Sequence, residues 1–368
     1  MKADELLRRY GAGERDFIGI NLSYIKLNDA DLREINLKNA SLRGINLSNT
    51  NLKNANLSNA DLAGAELNGT LLTGADLSGV NLADTDLYNA NLSGANLSNA
   101  VADQAALVGA NLRGANLSNA GFYQSSLEKA NLRNANLNNT VFSEVSLRSA
   151  NLTDIDLSVA FIGDVSFENA LYSSETVFPD EIDPDRAGAT FIGFGANLKG
   201  ADLSNTDLSG LDLTEINLSR ANLREVDLSN ANLLQATLED TDLSNTNLEN
   251  ANLESANLKN ANLSNANLSN TNLSNANLSN ADLSMVNLSG ADLRGADMSK
   301  AYLFEAHLEN VELRATNLSS ADLFKANLNT ANLEDANLLG ANLEATNFNN
   351  VIFCNTTAPD GSIWNDGC

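Results

Sequence analysis

The sequence predicts an all-β solenoid, in which the chain coils around its own axis in short straight segments. Three observations support this prediction. Leu or another large apolar residue recurs at every fifth position over most of the chain. The residue before each of these centres is usually Asn or Asp, and the residue before that is usually small. No proline falls inside the two stretches in which the period holds.

The period excludes the two common regular structures. The first periodic stretch runs from Phe17 to Phe167 and has 31 centres, of which only Ala102 is not Leu, Phe or Ile. The second runs from Leu198 to Phe353 and has 32 centres. A step of five residues turns an α-helix by about 500°, so the centres would scatter around it. In an unbroken strand successive centres would alternate between faces. The centres share one interior only if the chain bends once every five residues.

Matches at larger spacings indicate how many five-residue segments make one coil. Phe122, Phe142 and Ile162 lie 20 residues apart, as do Phe304 and Phe324. These spacings favour four segments per coil. Outward Asn residues also recur at this spacing, and stacked amides are expected to bond to one another as a ladder; one such column is Asn91, Asn111, Asn131 and Asn151.

The chain divides into five segments. Residues 1–16 are predicted to form a short amphipathic helix that covers the first coil through Leu6, Leu7 and Tyr10. Residues 17–172 form the first array, 197–353 the second array, and 354–368 a tail that covers the last coil through Ile363 and Trp364. Residues 173–196 are either a loop on one continuous rod or a joint between two rods.

Composition limits the class of partner. The 368 residues carry a net charge of −25, of which −13 lies in the second array. Such a chain is expected to bind neither nucleic acid nor an anionic membrane directly, because like charges repel. There is no apolar run long enough to span a bilayer and no apolar core of a signal peptide at the N-terminus, so a cytoplasmic location is predicted. The many Asn-Leu-Ser acceptor patterns favour a bacterial origin.

The sequence offers no chemistry typical of an enzyme. The one histidine, His307, occupies an outward polar position. No Cys/His cluster has metal-ligand spacing, and no phosphate-binding or dinucleotide-binding fingerprint is present. We therefore predict no catalytic residues, no metal, no cofactor and no enzymatic activity.

The tandem motif resembles the pentapeptide repeat family. Runs such as 261–265 (Ala-Asn-Leu-Ser-Asn) and 291–295 (Ala-Asp-Leu-Arg-Gly) carry the resemblance, which covers residues 17–170 and 196–353. Their style is similar to that of cyanobacterial members. The resemblance implies a right-handed quadrilateral β-helix with four pentapeptides per coil. It also implies a DNA-mimic as an alternative function, because some members that protect gyrase from quinolones resemble DNA in shape and charge.

Departures from the repeat mark candidate sites. Val101, Tyr123, Val141 and Phe161 point outward on one face by register. They form either a binding patch or a surface covered by the loop at 171–190 through Phe178 or Ile182.

A second group of departures lies near the C-terminal end. Tyr302, Phe304 and Phe324 lie on one face and are expected to contact the tail, a second copy or a partner. The tail holds both cysteines of the chain, Cys354 and Cys368, which are candidates for a disulfide.

These features together predict a non-catalytic solenoid scaffold that presents faces to a protein partner. The alternative is an acidic DNA-mimic acting on a DNA-binding enzyme such as a type II topoisomerase. The chain is expected to be a monomer or an end-to-end dimer.

Overall fold

A computed structural model describes residues 1–368 of the chain. The chain forms two compact units, Met1–Phe191 and Ile192–Cys368. Each unit is described here by itself.

Both units are built from coils that pair in parallel with the coil 20 residues later. In the first unit Asn91 bridges to Asn111, and in the second Asn247 bridges to Asn267. Each bridge lies at the outward polar position, one residue before a buried centre. Four five-residue segments therefore complete one coil, which is the number predicted from the sequence.

Every backbone N–H of a regular pentapeptide has a partner, as residues 261–265 show. Two donate to neighbouring coils from the flat side: Asn262 to the carbonyl of Thr241 at 2.9 Å and Leu263 to that of Asp282 at 2.7 Å. At the corners, Ala261 donates to Leu258 at 3.0 Å and Asn265 to Ser284 at 3.0 Å. The fifth N–H, that of Ser264, donates to the Oδ1 atom of Asn262 at 3.1 Å. No donor is left unpaired, which satisfies the main requirement for ordered backbone.

The second corner residue of each pentapeptide adopts the left-handed conformation. Asn265 has a φ of 59° and Asn280 a φ of 57°. Asn and Gly tolerate this conformation best among the standard residues, because most side chains clash there with the backbone. The frequent Ser-Asn and Ser-Gly corners of the sequence therefore follow from the bend itself.

The interior is a column of apolar side chains. The Leu centres and the small residues two positions before them are buried almost completely in both units. Where the small residue is Thr, its hydroxyl donates to a carbonyl of the previous coil, as Thr271 does to Leu248 at 2.9 Å. In the first unit Phe122 and Phe142 stack in successive coils with ring centroids 5.4 Å apart.

The outward amides form directional ladders. Asn287 donates through Nδ2 to Oδ1 of Asn267 at 3.0 Å, Asn267 to Asn247 at 3.2 Å, and Asn247 to Asp227 at 3.1 Å. Each amide donates towards the earlier coil and accepts from the later one. An ionised Asp only accepts, so it fits at the start of a ladder. Other ladders begin in the same way, at Asp76, Asp212 and Asp297.

Helix α1 (Ala3–Gly11) packs on the first coil. Leu6 is fully buried in the core of the first unit, and the Tyr10 hydroxyl donates to the carbonyl of Arg33 at 2.9 Å. The prediction for Leu7 was wrong, because this side chain faces outward and is exposed. On a helix of nine residues only one side can face the coil beneath it.

The first unit contains a four-stranded parallel sheet and a two-stranded one. The larger sheet has the order β1 (Val101–Asp103), β2 (Gly121–Tyr123), β3 (Val141–Ser143) and β4 (Phe161–Gly163). The smaller one pairs β5 (Leu171–Tyr172) with β6 (Thr190–Phe191), so the loop between them closes a coil that is one residue shorter than the rest.

An aromatic cluster holds this last loop of the first unit. The Phe178 ring packs edge-on against Phe167 and Tyr172, each at 5.6 Å between centroids. Tyr172 also packs against Phe191 at 5.5 Å and donates from its hydroxyl to Asp185 at 2.7 Å. Burial, reinforced by the bond to Asp185, raises the pKa of Tyr172 to about 12.

The tail closes the second unit. Antiparallel strands β7 (Thr356–Thr357) and β8 (Ile363–Trp364) form a short hairpin. The Trp364 ring packs against Phe353 at 5.0 Å, and the N–H of Phe353 donates to the carbonyl of Asp366 at 2.7 Å. Trp364 therefore covers the end of the core as predicted, but Ile363 points outward and is exposed.

The fold class predicted from the sequence is confirmed: each unit is a quadrilateral β-helix, with one N-terminal helix and a tail outside the repeat. No helix has the length and apolar character needed to cross a membrane.

The ladders predict a position-dependent effect of exchanging Asn for Asp. Asn267→Asp removes the donor to Asn247 and places a carboxylate inside the ladder, so we expect a loss of about 1–2 kcal/mol in the free energy of unfolding at neutral pH. The loss should shrink below about pH 4, where the protonated carboxyl donates again. Asp227→Asn, at the start of the same ladder, is the matched control and should cost little. Equal losses in chemical denaturation of the two variants would contradict the ladder.

The Tyr172 environment predicts a late ionisation. In an ultraviolet titration one of the six tyrosines should ionise at about 12, and this step should disappear in Tyr172→Phe. Because folding raises this pKa above its usual 10.0, the neutral phenol is favoured in the folded state. The stability it contributes is present below pH 10 and is lost as the pH rises towards 12. Identical titration curves for the two proteins would contradict the assignment.

Candidate protein-interaction surface

Strands β1 to β4 align the off-pattern residues of the first unit in one column. Val101 pairs with Gly121, Gly121 with Val141, and Val141 with Phe161. Each occupies the outward position that elsewhere carries Asn, Asp or Ser. The side chains of Val101 and Phe161 are 48% and 63% exposed. The register predicted from the sequence therefore places these apolar side chains side by side on the surface.

Tyr123 fills the gap that Gly121 leaves in this column. A Cβ atom built on Gly121 would lie 2.5 Å from the Tyr123 ring, so the ring occupies the space of the missing side chain. The ring remains 40% exposed. We call Val101, Tyr123, Val141 and Phe161 the apolar stripe. It is continuous across four coils because of this folded-back ring.

The loop that follows β5 does not cover the stripe through Phe178. Phe178 is engaged with Phe167 and Tyr172 instead, and Phe161 stays largely exposed. That alternative from the sequence was wrong, because the shortened coil directs the Phe178 ring against the end of the core.

One member of this surface escaped the sequence analysis. Val159, two residues before Phe161, is 37% exposed at a corner position that is usually Asn or Gly. An apolar residue at the second corner position was the available signal. It extends the apolar surface at the β4 end.

The two edges of the stripe differ in charge. The corner that follows it carries exposed carboxylates and no Lys or Arg over the same coils; these carboxylates are Asp84, Asp103, Glu144 and Asp164, and we call them the acidic rim. Gln124 lies among them and donates to Glu144 at 3.0 Å. The corner that precedes the stripe is neutral, with Asn99, Asn119 and Asn139 exposed.

The repeat that builds this surface matches a known family model. The model described as "Pentapeptide repeats" matches consecutive and overlapping segments from residue 16 to 158 and from 196 to 355. These segments cover most of the chain. The chain belongs to the pentapeptide repeat family.

Solved pentapeptide repeat structures are similar to this chain at low identity. HetL, involved in heterocyst differentiation regulation in the cyanobacterium Nostoc sp. strain PCC 7120, is 24% identical over 99% of this chain and 100% of its own, with a TM-score of 0.21. Rfr23 from the cyanobacterium Cyanothece 51142 is 24% identical over 48% of this chain and 99% of its own, with a TM-score of 0.20.

The plasmid-mediated fluoroquinolone resistance protein QnrB1 is 20% identical over 66% of this chain and 89% of its own, with a TM-score of 0.31. At these TM-scores the superpositions carry no argument about function. No curated protein sequence matches the chain significantly.

The second predicted patch is only partly open in this pentapeptide repeat protein. Phe304 and Phe324 stack in successive coils with centroids 5.9 Å apart, and both are half-buried. The Lys325 ammonium lies 5.8 and 5.4 Å from their ring centroids and pairs with Glu305 at 3.0 Å. The stack is thus covered by a cation on its own coil, while Tyr302 remains 57% exposed. The tail packs against Phe353 and does not reach this patch.

His307 lies in a shallow groove on the second unit. Met285, Glu305 and Lys325 line the same groove, and Nδ1 of His307 is 3.6 Å from Glu309. No group of three or more His, Cys, Asp or Glu side chains is arranged to hold a metal ion.

The two cysteines are joined in the structure. Cys354 and Cys368 form a disulfide that ties the end of the tail to the residue following Phe353. The closed loop contains the hairpin β7–β8 and Trp364, the only tryptophan of the chain. The bond therefore holds the aromatic cover of the last coil in place.

Reduction of this disulfide is expected to loosen the cover. A bond that closes a loop of about 15 residues contributes about 3 kcal/mol by restricting the unfolded tail. Treatment with a phosphine reductant should shift the Trp364 fluorescence to longer wavelength and raise its quenching by iodide. A Cys354→Ser/Cys368→Ser variant should show the altered spectrum at the outset and no response to reductant. An unchanged spectrum of the reduced wild-type chain would contradict this role.

Proposed function

We propose that this chain is a non-catalytic scaffold that presents the apolar stripe of its first unit to a protein partner. The single observation that carries the proposal is the stripe itself, which crosses four coils of a solenoid whose outward positions are otherwise mostly polar. Contiguous exposed apolar surface is disfavoured in a soluble protein unless something binds it. The core does not need these side chains, because the centres alone fill the interior.

Charge supports a protein as the partner. The net charge of −25 opposes direct binding to nucleic acid or to an anionic membrane. An apolar surface with one acidic edge accommodates an apolar protein segment with basic residues.

We prefer the scaffold to the acidic DNA-mimic alternative. Several acidic residues of the second unit have a structural role at the start of amide ladders, as Asp212 and Asp227 do. Others are paired with cations on the same face, as Glu239 is with Lys259 and Asp240 with Arg220. A supercoiling assay with a type II topoisomerase addresses the alternative, and inhibition by micromolar protein would favour it over the scaffold.

The remaining proposals concern setting and assembly. We propose a cytoplasmic protein that needs no cofactor and that exists as a monomer or an end-to-end dimer. Sedimentation of the full chain distinguishes the two assemblies.

The scaffold proposal predicts a stripe-dependent set of neighbours in the cell. With a proximity-labelling enzyme fused to the chain, a double variant Val141→Ser/Phe161→Ser should lose at least one enriched protein by about tenfold, which corresponds to about 1.4 kcal/mol of binding free energy. Leu71→Asn, which removes an exposed apolar side chain from another face, is the matched control and should retain the wild-type set. Identical sets for all three chains would refute the proposal.

A further inference from the structure

We infer that the stripe and the acidic rim together form a docking site for a short amphipathic α-helix of the partner. The apolar side chains of this helix lie on the stripe, and its Lys or Arg side chains lie along one flank, facing the rim. This inference rests on the proposed function and specifies the chemistry of the partner.

Spacing favours a helix that lies along the solenoid axis. Neighbouring coils are about 4.8 Å apart, so the four coils of the stripe span about 14 Å. Successive turns of an α-helix rise about 5.4 Å, so about three turns present side chains at nearly the same interval. An extended segment repeats its side chains on one face about every 6.8 Å and loses register after the second coil.

The backbone of the stripe excludes docking by strand addition. The N–H of Val101 donates to Val80 at 3.0 Å and that of Phe161 to Thr140 at 2.8 Å, both within the solenoid. The strands β1 to β4 therefore offer no free edge to an incoming strand on this face. Recognition must come from side chains, which is how an amphipathic helix binds.

Charge predicts that the helix is basic on one flank only. Asp84, Asp103, Glu144 and Asp164 are all exposed along one corner, whereas the opposite corner presents neutral amides. A helix with Lys or Arg on one flank gains attraction on one side and meets no repulsion on the other. The asymmetry also fixes its direction along the axis, because reversing the helix exchanges its flanks.

Size and charge disfavour other occupants. A stripe of four side chains is small compared with the roughly 800 Å² that each partner contributes to a standard interface between folded proteins. A second copy of this chain would bring a second charge of −25, and an anionic membrane would also be repelled by the rim.

The test uses the full chain and two synthetic peptides of about 14 residues. Both carry Leu along one face; in the first, Lys follows one flank, and in the second, Lys follows the other. Fluorescence anisotropy should show micromolar binding of both, weakened about tenfold or more by Phe161→Ser and unchanged by Leu71→Asn. A Glu-for-Lys peptide should bind at least tenfold more weakly. Asp103→Asn/Glu144→Gln/Asp164→Asn should remove this discrimination.

Direction provides a second readout. A spin label on the peptide N-terminus should broaden the methyl signals of Val101 for one Lys flank and those of Val159 for the other. Broadening at the same end for both peptides would overturn the asymmetric site.

Other outcomes separate this inference from the proposed function. If neither peptide binds at millimolar concentration but the cellular neighbours depend on the stripe, the helix is wrong and the scaffold survives. If the neighbours also fail to depend on the stripe, both proposals fall. Binding of neutral phosphatidylcholine vesicles through Phe161, without peptide binding, would identify a membrane face and overturn the inference.

Discussion

The solenoid depends on one short hydrogen bond, from the first corner N–H to the side-chain oxygen of the Asn or Asp two residues earlier. The other four N–H groups of a pentapeptide reach backbone carbonyls, but this one points away from both neighbouring coils. Ser264 shows the solution, since its N–H donates to Asn262. The bend that gathers the centres would otherwise leave one unpaired donor in every five residues. The outward Asn or Asp is therefore part of the backbone's hydrogen bonding as well as of the surface.

Most of the fold could be predicted because it follows from spacing. The five-residue period demands a bend, matches at 20 residues give four sides, and the apolar centres define the interior. What the period could not predict depends on single rotamers. The Tyr123 ring folds over Gly121, and Lys325 covers the Phe304–Phe324 stack. A repeat pattern assigns a residue to a face but does not say whether a long side chain extends from it or lies along it.

The candidate surface was predictable in place but not in extent. Its outward residues stood out because apolar side chains replaced polar ones in a regular code. Whether they were covered depended on the loop after β5, which has no repeat to constrain it. Phe178 takes the nearer aromatic partners, Phe167 and Tyr172, and leaves Phe161 open. The irregular segments decide which departures from the repeat become accessible.

The 20-residue register described for the bridges has a consequence for how such a chain can change in length. A duplication or deletion of one whole coil keeps every later residue in its column, so the ladders continue and each face retains its composition. Gain or loss of a single pentapeptide would turn everything after it by a quarter of a revolution, moving a binding face to another side without disturbing the interior. A solenoid of this kind can therefore redirect a surface by an event that leaves its core intact.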